Sequence, residues 1–165
     1  MSSKVGWTLL VVVVIAVFVI IGMEHRADSA VELWLQGNSD LKLTEIKFSG
    51  QERTITSKDP SVISYFNSGA TRARRVAGPN GELSYYGQLR IGTDVARRVV
   101  IDVSKDGKWI DIGVPKGWGS EYNYWAIDIG SDASKEVMDL LIFLTDERFR
   151  VKRTGSGSEQ QERKK

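Results

Sequence analysis

The 165-residue sequence predicts an α+β protein: one N-terminal transmembrane helix, then a small antiparallel β-sheet domain of hairpins and a meander, packed by one or two helices. Three observations carry that prediction. Val5 to Met23 holds no charged side chain. Beyond residue 40, short runs alternate apolar and polar residues between Gly- and Asp-rich turns. Near the C-terminus one apolar stripe recurs at helical spacing. The expected units are a flank at 1–4, a span at 5–23, a stalk or linker at 24–40, the α+β domain at 41–151 and a polar tail at 152–165.

The span reads VGWTLLVVVVIAVFVIIGM. At about 1.5 Å per residue it makes a helix of roughly 28 Å, close to the hydrocarbon thickness of a bilayer. Hydrocarbon offers backbone amides no partner, so such a run is helical there despite its β-branched Val and Ile. Trp7 stands at its entrance as an interfacial anchor. The competing expectation is a cleaved secretory signal, with Lys4 as its positive start and Ala27-Asp28-Ser29 as small residues near a cleavage site. Cleavable apolar regions run about 7 to 15 residues, so the longer run favours a retained signal-anchor. Lys4 and the α-amino group on one flank, against Arg26 on the other, favour a single-pass protein with a cytoplasmic N-terminus and an exported domain.

In the stalk, Ala30, Val31, Leu33, Trp34 and Leu35 suit a continued helix better than a short strand, with Gly37-Asn38 as its stop. Residues 41–48 and 53–57 flank Ser49-Gly50-Gln51 as a hairpin. Asp59-Pro60 starts a helix, since Asp accepts an orphan amide bond and Pro pre-sets the first helical φ. Val62, Ile63 and Phe66 form its apolar face and Gly69 ends it. Thr71 to Val76 leads into the turn Gly78-Pro79-Asn80-Gly81. Strands are expected at 83–91, 97–104, 108–114 and 122–129, with Asp106-Gly107 the tightest turn. A last helix, capped by Ser131 and running from Asp132 to about Arg148, aligns Val137, Leu140, Leu141 and Leu144.

The chemistry available is narrow. There is no Cys, and His25 is the only His and lies beside the membrane boundary. Disulfides, thiolate zinc sites and thiol nucleophiles are excluded, while a Ser-His-Asp triad or a His-bound zinc needs an imidazole inside the site. The Gly-rich run 113–119 lacks GxxxxGK[ST] spacing and no helix follows it, so no phosphate loop is expected, and neither is a cofactor or a metal. A net charge of +2 without an aromatic-plus-basic signature argues against nucleic acid. Asp102, Asp111 and Asp128 fall within strands, where Asp is disfavoured. A facing pair would share a proton or hold a cation. With many cations nearby, a solvated side answering Arg90, Arg97 or Arg98 is favoured instead.

Trp118 between two glycines, followed by Tyr122 and Tyr124, concentrates the flat side chains from which binding surfaces are made, and Arg72, Arg74 and Arg75 form a basic strip. The expectation is a non-enzymatic, membrane-anchored binding domain. It contacts the bilayer through residues 5–23 and a protein, peptide or envelope polymer through those six residues. The alternatives are a carboxylate-based envelope hydrolase using Asp102 and Asp111, and a structural subunit whose span packs on other helices. Gly6, Ala16 and Gly22 offer no GxxxG spacing for the last.

Overall fold

The computed structural model describes residues 2–49, 54–117, 120–130 and 133–145, with side chains described from residue 6. Helix α1 (Ser2–Leu35) runs through the apolar span and beyond it without a break. Every side chain from Gly6 to Ile20 is exposed. Between Trp7 and Met23, thirteen large apolar side chains stand bare. Covering them relieves about 1 kcal/mol each, on the order of 10–20 kcal/mol together. That is as large as the roughly 5–15 kcal/mol that holds a whole domain, so this helix is far more stable in a bilayer than bare in water. The chain is a membrane-anchored α+β domain.

Residues 24–35, expected as stalk, are the end of the same helix and enter the core. Ala27, Ala30, Val31, Trp34 and Leu35 are all buried. The helix ends in a Schellman arrangement: Asn38 N–H donates to Leu33 C=O (3.1 Å), Gly37 N–H donates to Trp34 C=O (2.9 Å), and Gly37 takes φ +83°. The stop expected at Gly37-Asn38 is where the helix stops.

Among the described residues the sheet has seven antiparallel strands: β1 (Leu43–Ser49), β2 (Thr54–Ser57), β3 (Arg74–Val76), β4 (Leu83–Ile91), β5 (Asp94–Val103), β6 (Trp109–Pro115) and β7 (Tyr122–Asp128), in the spatial order β2-β1-β4-β5-β6-β7-β3. The expected hairpin and four-strand meander are present. Two details differ. The lead-in at 71–76 becomes β3, which pairs with β7 through Arg75↔Trp125 and Val76↔Tyr124. Its Arg-Arg content hid it, because three residues closing a sheet edge need no apolar alternation, and charge there discourages edge-to-edge pairing. Strand β5 starts at Asp94 rather than 97, directly after a Gly92-Thr93 turn with Gly92 at φ +58°.

Helix α2 (Pro60–Ala70) begins as its sequence requires: Asp59 Oδ1 accepts from Ser61 N–H (2.9 Å) and Val62 N–H (3.3 Å), with Pro60 at the first helical position. Helix α3 (Lys135–Thr145) starts later than expected, with Ser134 Oγ accepting from Val137 N–H at 3.5 Å. The expected cap Ser131 lies outside the described residues.

All three helices lie against one face. Phe48, Tyr85, Leu89, Val99, Ile101, Ile110, Ile112 and Ile127 line it and are buried. Val137, Leu141 and Leu144 of α3 complete the core, and Tyr85 Oη donates to Leu144 C=O. Asn67 joins three elements: its Oδ1 accepts from Trp34 Nε1 (2.9 Å) and Leu43 N–H (2.8 Å), and its Nδ2 donates to Leu43 C=O (3.0 Å). One side chain on α2 thereby fixes the end of the membrane helix to the first strand.

Candidate functional site

Alternation along each strand sends the residues between the core positions to the second, outer face. No helix covers that face among the described residues. Register places two of its rows across the sheet. The upper row is Ser84↔Asp102↔Asp111↔Ala126↔Arg74, and the lower row is Tyr86↔Val100↔Gly113↔Tyr124↔Val76.

The upper row is closed. From the end of β3, residues 77–82 cross the outer face to reach β4, passing the three intervening strands β7, β6 and β5. Asn80 N–H and Gly81 N–H both donate to Asp111 Oδ2, at 2.5 and 2.9 Å. Ser84 donates its hydroxyl to Asp102 Oδ1. Both carboxylates are 0% exposed. A methyl group at Gly81 would stand 2.6 Å from the backbone carbon of Asp102 and 2.8 Å from Val103 N, so the crossing is close enough there to require glycine.

Asp102 and Asp111 are therefore not on a solvated side: both are buried. Arg90 faces Glu45 (3.8 Å), and Arg98 faces Glu24 on α1 (3.9 Å). The two aspartates are direct cross-strand neighbours, as the facing-pair reading required. Composition misled because it counts cations near in sequence, whereas the crossing supplies backbone N–H donors that composition does not record. The signal was the turn Gly78-Pro79-Asn80-Gly81, whose small residues allow close passage over a sheet. Asp128 ends β7 and is exposed. No group of three or more His, Asp or Glu side chains is placed to hold a metal ion among the described residues.

The lower row stays open. Tyr86 is 62% exposed. Tyr124 lies over Gly113, where a Cβ would come within 2.8 Å of its ring, and its centroid is 6.1 Å from that of Tyr122. Tyr122 and Tyr124 are both half-buried. Of the six residues expected to form a surface, Tyr122, Tyr124 and Arg74 lie on this face. Arg74 reaches the same face and sets its guanidinium 5.8 Å from the Trp109 ring centroid, within cation–π range. Arg75 belongs to the helix-covered face, where its Nη2 donates to Asn123 Oδ1 (2.6 Å) and Asn123 Nδ2 donates to Glu32 Oε1 of α1 (2.7 Å). Arg72 is exposed just past α2. Trp118 lies outside the described residues. Sequence reading missed Tyr86, although its place between Tyr85 and Gly87 in an alternating strand already sent it outward.

At the margin of the face, the Glu45 carboxyl is held below the usual carboxylate range, first by its hydrogen bond from Lys58 (2.9 Å) and then by the nearby charges of Lys58 and Arg90. Comparison with protein-family models, with curated proteins and with solved structures gives no match.

Proposed function

We propose that this chain is a membrane-anchored binding domain that takes a protein, peptide or envelope polymer on the open lower row of its outer face. The carrying observation is the run Tyr86–Val100–Gly113–Tyr124, extended by Tyr122. Tyr86 is exposed and Val100, Tyr122 and Tyr124 are half-buried, with no described helix over them, while the three described helices are spent on the other face. Aromatic side chains bring large contact area with little entropy to lose, and an exposed strip of them is costly to keep unless something binds it. Arg74 at one end and Arg90 beside Glu45 at the other give the strip a polar rim. Exported placement of the domain rests on Lys4 before the span. Protease digestion of intact cells decides it: an exported domain is cut from outside.

The facing carboxylates are what favours the hydrolase alternative. Since both are fully buried beneath residues 77–82, hydrolysis would require that crossing to lift, and binding on the open row requires no rearrangement.

Photo-crosslinking in native membranes tests the binding surface. A crosslinking residue at Tyr86 or Gln88 of the full chain is expected to capture a discrete partner, and the adduct at position 88 should weaken when Tyr124→Ser is added. A crosslinker at Ser64, on α2 across the domain, should give none. Equal capture at all three positions, or none at 86 and 88, would overturn the assignment.

A further inference from the structure

We propose a second binding site, at the bilayer surface: the cleft between α1 and the β4–β5 turn holds the headgroup of a phospholipid carrying a phosphodiester and a primary ammonium. The cleft measures about 370 Å³ and is lined by Ile20, Met23, Arg26, Asp94, Val95 and Arg97, among others. That volume is within the range of small-ligand sites.

Its height relative to the membrane follows from the helix. Met23 is the last residue of the apolar span and Arg26 lies three residues on, about 4.5 Å along the axis at helical rise. The headgroup layer on each side of a bilayer is roughly 5–8 Å thick, so Arg26 lies within it. The helix does not bend away, because the next residues, Ala27, Ala30 and Val31, are buried against the sheet. The cleft is consequently fixed where lipid phosphates lie, with Ile20 and Met23 continuing into the acyl region.

Its charges select the ligand. Arg26 Nε and Asp94 Oδ1 approach to 3.5 Å. Arg97 is exposed and joins no ion pair among the described residues. Its planar fork of donors matches two phosphate oxygens. Glu24 and Asp94 each already face one guanidinium, Arg98 at 3.9 Å and Arg26 at 3.5 Å, and each keeps a second carboxylate oxygen for an ammonium. Glu24, Arg26, Asp94 and Arg97 sum to zero formal charge, which suits a headgroup bearing both signs over a purely anionic one. A quaternary ammonium cannot donate hydrogen bonds and is usually held by an aromatic cage, which this lining lacks. A primary ammonium donates to carboxylates directly.

Native mass spectrometry of the full chain, released from mixed micelles with one lipid at a time, tests the site. Phosphatidylethanolamine should be retained at one per chain, about fivefold over phosphatidylcholine or phosphatidylglycerol. Arg97→Gln and Asp94→Asn should each lower that retention by about threefold or more, while Lys135→Gln, exposed at the start of α3 and absent from the cleft lining, leaves it unchanged. Soluble phosphoethanolamine, lacking acyl chains, should not be retained. Arg97 is at the surface, so its variant keeps its circular dichroism and a loss of lipid is not a loss of fold. Equal retention of the three lipids, a preference for phosphatidylglycerol, unchanged retention in Arg97→Gln, or equal binding of free phosphoethanolamine would each overturn the proposal.

Discussion

Truncating Trp34 tests whether the membrane helix and the sheet are one structure. Trp34 is 2% exposed, eleven residues past the end of the apolar span, and donates through Nε1 to Asn67 Oδ1. Trp34→Ala removes a fully packed indole, for which core truncations cost about 3–5 kcal/mol. Trp34→Phe retains most of the packing and loses the hydrogen bond, worth about 1 kcal/mol, plus some contact area. Asn67 Oδ1 still receives Leu43 N–H in either variant, so no buried acceptor is orphaned and the difference between the variants isolates packing. A cost of about 3–5 kcal/mol is a large part of a typical domain's stability and should lower Tm by roughly 10–20 °C. The assay is thermal unfolding of the full chain in detergent micelles, followed by near-ultraviolet circular dichroism, which reports tertiary packing of the domain and not helicity of the span. A helix that merely tethered the domain would make Trp34 dispensable. A loss below about 1 kcal/mol in Trp34→Ala would refute its place in the core.

Three further outcomes are expected. Asp111→Ala leaves Asn80 N–H and Gly81 N–H without their acceptor and should cost about 2–4 kcal/mol, whereas Asp111→Asn keeps an acceptor oxygen and costs roughly half as much; denaturant unfolding compares them. Gly81→Ala drives a methyl group into backbone at 2.6–2.8 Å and should cost at least about 2 kcal/mol, with faster hydrogen exchange at residues 80 to 83 as the crossing lifts. The Asp106 carboxyl is held below the usual carboxylate range, first by the Ser104 hydroxyl (2.7 Å) and then by Lys108 N–H (3.1 Å). A lowered folded value means stability present above the unfolded pKa and lost as pH falls through the folded one. Acid unfolding below about pH 4 should therefore be shallower in Asp106→Asn than in the parent.

Elements whose stability is local could be read one segment at a time. The span follows from composition, since no charge occurs in nineteen residues. Asp59-Pro60, Gly37-Asn38 and Asp106-Gly107 start, stop or turn the chain through bonds to residues within five positions. The strands of the meander follow from period-two alternation, which one sheet face covered by helices enforces.

What escaped the sequence depends on residues far apart in it. Asn67 is an ordinary polar residue of a helix until folding brings it to Trp34, 33 positions away, and to Leu43. Asp102 and Asp111 look like surface charges until residues 77–82 pass over them, and β3 is a strand only through its pairing with β7. The amino-acid order by itself determined that there is a lipid-soluble helix and a sheet, and where α2 begins and α1 ends. Tertiary structure alone decided that the helix is continuous with the core, which side of the sheet stays open and which charges are buried, because register and crossing connections set those positions and neither leaves a local mark.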